Sequence, residues 1–470
     1  MWPRWNRSAA SSSVVLDLSP ARFLALFMGP ASLDAARVAN APRELRRSIG
    51  LRSAVALYSG AVLGSGILVL PGTAAQTAGP ASLVAWLALS LLSIPLALTF
   101  ASLARGQPIA GGFSAYIVRA FGVRAGRAAG WLFLAQVPTG GTFVSLLAAS
   151  YLGAPFGVGR DGSFVIAAVV LVLAFGLNLM GLRLAGAVQL AATIGVLLLV
   201  GAVVAGSSPR VSAAAFEPFA PFGWPAVGTA ATQLFWAFVG WEAITPLAQE
   251  FRDPARDVRR ASLFSVGFVA VIYLSLAAVT IGTRSYGVAG LPSFAQMAEE
   301  SFGVGAVLVV GIAGGILCFT PLNAYVAGTS RLAYALARAG DLPARLASLN
   351  DRHVPQRAIL ALGASTLAAL GLTYVLGLRL ADLLPFSTSA FLATYILSMA
   401  AGVRLLRGRA STLAGVGLVA CLIVLAFAGT HVLWIAAVSF AALLYRRPSS
   451  SAGQDKVSRE TGAPLTEEVA

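Results

Sequence analysis

About twelve stretches of this 470-residue chain are long and apolar enough to cross a lipid bilayer. A hydrocarbon core about 30 Å thick needs roughly 20 apolar residues per helix. The stretches run over about 51–76, 81–104, 129–152, 163–181, 184–206, 227–248, 263–283, 304–330, 356–376, 381–403, 411–429 and 431–446. No water reaches that depth to serve main-chain N–H and C=O groups, so each stretch must satisfy them internally as a helix. The sequence therefore predicts an all-α integral membrane protein of about 12 transmembrane helices. Only 11% of the residues are charged and 58% are hydrophobic. A soluble domain carries about 25% charged residues, so this surface requires lipid as its solvent.

The net charge of +15 would suggest nucleic acid if it gathered on a soluble face. Here it lies in short connections between apolar runs, which makes membrane lipid the expected partner and nucleic acid an unexpected one. With residue 50 in the cytoplasm, the inside connections hold the clusters around Arg46, Arg124, Arg259, Arg345, Arg407 and Arg446. The outside ones hold Arg160, Arg210, Arg284 and Arg379. That asymmetry places both termini inside. Residues 1–42 read as a flexible cytoplasmic tail, or as an upstream start with the working protein beginning nearer Met28. Residues 43–446 form the membrane domain, and 447–470 a polar, disordered tail with the chain's lone lysine, Lys456.

Cys318 and Cys421 fall within apolar runs, and His353 and His431 in distant connections. They make no disulfide framework and no metal-ligand spacing. Without a nucleophile–base pairing, a metal cluster or a phosphate-binding loop, the chain does not read as an enzyme, and it asks for no cofactor. A cation channel would want rings of carbonyls or acids, and a sensor a soluble signalling domain; the sequence offers neither.

Two spans are interrupted at mid-length by glycine: Gly64-Ser65-Gly66 in the first, and Phe235-Trp236-Ala237-Phe238-Val239-Gly240 in the sixth. A broken membrane helix exposes main-chain groups that persist only where they line a cavity. Paired breaks in corresponding halves point to a transporter's substrate site. The N–H groups of Gly66, Ile67 and Leu68, with a helix dipole behind them and the Ser65 hydroxyl beside them, suit a carboxylate. The carbonyls near Trp236 to Phe238 suit an ammonium group. Together they describe an α-amino acid, and Phe235, Trp236, Phe238 and Trp241 favour an apolar side chain. For Gly60 and Gly130, close helix packing is the simpler reading.

At these residues the sequence resembles the amino acid–polyamine–organocation superfamily of permeases. Gly64-Ser65-Gly66-Ile67…Pro71 is similar to their first-helix motif, and Pro108…Gly111-Gly112…Tyr116…Phe121-Gly122 to their cytoplasmic signature. The sixth-span block through Glu242, followed by Glu250…Asp253-Pro254…Arg256-Asp257…Arg260-Ala261, resembles their sixth helix and loop. With Gly130-Trp131-Leu132-Phe133-Leu134…Pro138, it looks most like bacterial exporters of methionine and branched-chain amino acids. The resemblance implies a five-plus-five inverted repeat, here 51–206 and 227–403, with discontinuous helices one and six and peripheral helices over 411–446. It also implies a bundle of helices one, two, six and seven rocking against a scaffold of three, four, eight and nine.

Some relatives carry a coupling lysine in the fifth span, and residues 184–206 contain none. Glu242 is the carboxylate well inside a span, and it admits two roles: a proton relay, because intramembrane acids are costly, or a cap on the second half-helix. Gln136 and Asn323 lie at depths that could face the pocket, although such residues more commonly bridge helices, as Thr139, Asn178 and Gln233 would. The expectation is a secondary transporter of a neutral hydrophobic amino acid in a bacterial cytoplasmic membrane. Export by proton antiport is favoured, and import of an amino acid or amine by the same fold is the alternative.

Overall fold

The computed structural model describes residues 51–106, 112–181, 186–243, 254–287 and 291–445. The two tails, Pro108 with Gly111, and the segment carrying Glu250 and Asp253 lie outside the described residues. Within them no strand forms. The first span is split into α1 (Leu51–Val62) and α2 (Gly66–Ala78), followed by α3 (Ser82–Gly106), α4 (Gly112–Phe121), α5 (Val123–Gly153), α6 (Arg160–Leu179) and α7 (Gly186–Ser207). The sixth span opens with α8 (Pro225–Leu234), which tightens into 3-10 turns at Phe235–Phe238 and Trp241–Ala243. The remainder is α9 (Pro254–Gly282), α10 (Ser293–Phe302), α11 (Gly305–Arg338), α12 (Gln356–Val375), α13 (Leu380–Leu405), α14 (Arg409–Ala426) and α15 (Val432–Leu444).

Among the described residues, 8 helical stretches are long and apolar enough to cross a membrane, and two shorter apolar helices cover Ile194–Arg210 and Gly429–Leu444. The number is below the expected twelve for a local reason. The second half of the first span runs into the second as one stretch, Gly66–Arg105, α8 of the sixth has only 10 residues, and the two shorter helices stand for the fifth and last spans.

Packing sorts the helices into two groups. α5 sits at the centre of one, against α6, α11, α12 and α13. In the other, α9 lies along α1 and α3, while α8 packs on α2 and α3. Side chains that face neither group are exposed and apolar, such as Val165, Val169 and Val172 of α6 and Val416, Val419 and Ile423 of α14. Such outward faces belong in hydrocarbon, where the backbone is already satisfied within each helix.

One local unit recurs. The ten-residue helix α4 ends at Phe121, Gly122 turns the chain with φ 83 and ψ 176, and the long α5 follows. The ten-residue α10 ends at Phe302, Gly303 turns it with φ 83 and ψ 175, and the long α11 follows. Only glycine adopts this backbone without strain. The same Phe-Gly-Val sequence spells both corners.

Candidate functional site

Both glycine-bearing interruptions are present, and they touch. α1 stops at Val62, the chain bends through Leu63, Gly64 and Ser65, and α2 starts at Gly66. In the sixth span the 3-10 stretch stops at Phe238, Val239 is extended, and Gly240 takes φ 125. A Cβ added to Gly66 would lie 3.1 Å from Trp236 Cδ1 and 3.4 Å from the Ala237 Cα. A bare α-carbon is what lets the second half of the first span approach the main chain of the sixth.

Between these breaks and α5, α11 and α13 lies a cavity of about 110 Å³. One water takes about 10–15 Å³ on such a measure, so the space suits one small solute. Gly64, Ser65 and Gly66 wall it from the first break, and Trp236, Ala237 and Val239 from the second. Gln136, Gly140, Gly141 and Val144 of α5 contribute, as do Leu322 and Tyr325 of α11, Phe175 of α6 and Phe391 of α13. Trp236 meets Phe143 and Phe391 edge-on at 5.4 and 5.5 Å, and Phe391 in turn meets Tyr325 at 6.1 Å. The wall is thus aromatic and aliphatic around a small polar set.

The polar groups differ from the expected set. Ile67 and Leu68 are buried off the cavity, and their N–H groups reach back to the Gly64 and Ser65 carbonyls, each at 3.3 Å. The donors left at the head of α2 are the N–H groups of Ser65 and Gly66, which have no partner one turn back within their own helix, together with the Ser65 hydroxyl, which makes no capping bond. They stand at the positive end of the helix dipole. On the sixth span, the Ala237 carbonyl accepts from the Tyr273 hydroxyl at 2.9 Å, and the Trp236 carbonyl accepts from the Val239 N–H at 3.4 Å. Two of the acceptors expected to serve an ammonium group, the Trp236 and Ala237 carbonyls, thus each already accept one hydrogen bond.

Gln136 lines the cavity, and both its amide atoms, Oε1 and Nε2, are buried without a hydrogen-bond partner among the described residues. An unpaired buried amide costs about 1–3 kcal/mol, and such a cost persists where a ligand or water serves the group. Asn323 lies elsewhere: the Asn178 amide donates to its side-chain oxygen at 2.8 Å, bridging α6 and α11. Phe235, Phe238 and Gly240 are buried behind the lining. Glu242 also stays off the wall. Its carboxylate accepts from the Gly240 N–H at 3.0 Å and from the Tyr395 hydroxyl.

Sequence reasoning missed Gly140, Gly141, Tyr325 and Phe391. The glycine pair carried a readable signal, two adjacent small residues just past Pro138 in a span. Tyr325 and Phe391 carried none, since an aromatic in an apolar run looks the same facing lipid or cavity.

The family model for amino acid permeases matches residues 49–454. The chain belongs to the amino acid permease family. This permease is 37% identical over 412 residues to a protein of Bacillus subtilis (strain 168) named uncharacterized amino acid permease YecA, covering 86% of the chain and 96% of that protein. It is 33% identical over 390 residues to the L-methionine/branched-chain amino acid exporter YjeH of Escherichia coli (strain K12), covering 82% and 92%. It is 26% identical over 333 residues to the branched-chain amino acid permease BcaP of Bacillus subtilis (strain 168), covering 66% and 71%. The permease is a multi-pass protein of the cell membrane that transports amino acids, as the motifs around Gly64 and Trp236 led one to expect.

Proposed function

We propose that this permease moves a neutral, hydrophobic amino acid of the methionine, leucine, isoleucine or valine kind by alternating access, exporting it in exchange for protons. The observation that carries the reading is the cavity bracketed by two facing helix breaks, with main-chain donors on one side and Trp236, Tyr325, Phe391, Val144 and Leu322 around the rest. The donors suit a carboxylate, and the wall suits an uncharged, apolar side chain. Similarity to YjeH and BcaP, one named an exporter of methionine and branched-chain amino acids and the other a branched-chain permease, supports the same substrate class.

The proposed organisation is a transporter domain over 43–446, with inverted repeats at 51–206 and 227–403, peripheral helices at 411–446 and both termini in the cytoplasm. The recurrence of a short helix, a glycine corner and a long helix at Gly122 and Gly303 supports the repeat. Grouping of α1, α2, α3, α8 and α9 apart from α5, α6, α11 and α12 supports a bundle that rocks against a scaffold. The Tyr151 hydroxyl crosses that seam to the Leu68 carbonyl at 2.8 Å, a bond that opening on this side must break.

Glu242 is the proposed proton carrier. Its carboxylate holds the Gly240 turn, so adding a proton removes charge from the acceptor that fixes the sixth-span break. Import by the same fold is the second reading, favoured by the similarity to BcaP, named a permease. Flux in reconstituted vesicles with an imposed pH gradient of either sign tests both. Export predicts uphill movement of the amino acid against an inward proton gradient; movement with the protons indicates import.

A further inference from the structure

The cavity wall holds a polar side chain that nothing in the protein serves. Gln136 is 3% exposed, it lines the cavity, and neither Oε1 nor Nε2 has a hydrogen-bond partner among the described residues. Two hydroxyls beside its main chain are committed elsewhere. Thr139 and Ser387 bond each other at 3.0 Å, and both lean on the main-chain carbonyl of Gln136, at 3.3 and 3.2 Å, rather than on its amide. A ligand that displaces water from this wall must therefore offer a donor and an acceptor together.

Position narrows the ligand's contact further. Gly140 lies one helical turn beyond Gln136 on the same face of α5. A Cβ on Gly140 would lie 3.1 Å from Trp236 Cη2, and a Cβ on Gly66 would lie 3.1 Å from Trp236 Cδ1. The Trp236 indole lies between the next turn of α5 and the head of α2, and Gln136, Ser65 and Gly66 line the same cavity, so one solute in it borders all three. A carboxamide presents its acceptor and donor side by side. An α-amino acid presents its ammonium and carboxylate from one carbon.

We propose that Gln136 is a specificity-determining residue that reads the zwitterionic head of the substrate. Its Oε1 accepts from the α-ammonium, its Nε2 donates to one carboxylate oxygen, and the other carboxylate oxygen takes the N–H groups at the head of α2. The proposal rests on the amino acid reading above. It adds a side-chain acceptor for the ammonium beside the Ala237 carbonyl, which already accepts from Tyr273. It also divides selectivity: Gln136 sorts head groups, while Trp236, Tyr325 and Phe391 sort side chains.

The test uses the full-length protein in proteoliposomes. Uptake and competition are measured for methionine, leucine, isoleucine and valine, and for the α-hydroxy acid and the primary amine corresponding to the best of them. The wild type should prefer the amino acid over both analogues. Gln136→Met, of similar size, should raise KM about tenfold for all four amino acids, erase the preference over the analogues and leave the ranking of side chains intact. Gln136→Glu keeps an acceptor, loses the donor and adds negative charge, so it should shift preference toward the amine; it serves equally if the Met variant is not recovered folded. Side chains reordered with head-group preference retained would overturn the proposal, as would no change in either variant. A wild type that takes up none of the four overturns the transport reading itself, and this proposal with it.

Discussion

The Tyr273 hydroxyl lies 2.9 Å from the Ala237 carbonyl, and the same oxygen lies 3.1 Å from the carbonyl of Val62. One buried phenol on α9 thereby sits between the carbonyl ends of both broken spans, its single O–H shared between them. Such ends present partial negative charge without a helical partner. Tyr273→Phe leaves ring packing with Trp86 and Phe238 intact while removing the donor. The expected result is about 1–3 kcal/mol of lost stability, read as a lower melting temperature in detergent, together with slower exchange. An unchanged melting temperature and exchange rate would mean that the two carbonyls find other donors.

Gly66 separates the two breaks by the width of a hydrogen. Gly66→Leu puts a branched side chain where Trp236 Cδ1 and the Ala237 main chain already stand. Substrate binding should fall below detection while membrane insertion, followed by yield and gel-filtration profile, stays at the wild-type level. Retained transport would move the site away from these breaks.

Glu242 separates charge from shape. Gln at this position keeps an oxygen to accept from Gly240 and Tyr395, so the turn survives and the proton is lost. In Glu242→Gln vesicles counterflow should become independent of pH between about 6 and 8, with thermal stability close to wild type. Counterflow that keeps its pH dependence leaves Glu242 as a capping residue.

Outside the spans, Glu300 fixes the short helix α10. Partial burial alone would raise its pKa, but hydrogen bonds from Gln296, Arg210 and Ser285, with the Arg210 charge, outweigh it and hold the carboxyl below its ordinary value of 4.5. Arg210 meets the carboxylate at 2.5 Å with both side chains about one-third exposed. The folded pKa being the lower one, this contribution is full above about pH 4.5 and is lost as pH falls through the folded value. Screening at such exposure limits it to about 0.5–1 kcal/mol. Melting temperature should fall between about pH 5 and pH 3 more steeply in wild type than in Glu300→Gln; parallel curves would remove Glu300 from the account.

The sequence alone determined that the chain is helical, membrane-bound and broken twice. Those outcomes follow from local quantities: apolar length against bilayer thickness, and glycine's backbone freedom at Gly64, Gly66 and Gly240. Tertiary packing decided what the breaks could do. Tyr273 reaches the Ala237 carbonyl from another helix, Asn178 claims Asn323 from a partner helix, and Phe391 arrives on the cavity from far along the chain. Whether a given carbonyl, amide or ring is satisfied depends on which helix lies beside it, and in a uniformly apolar span no local pattern encodes that neighbour. Gln136 marks the boundary: its type and depth were legible, but only the packing around it shows that its amide has no hydrogen-bond partner among the described residues.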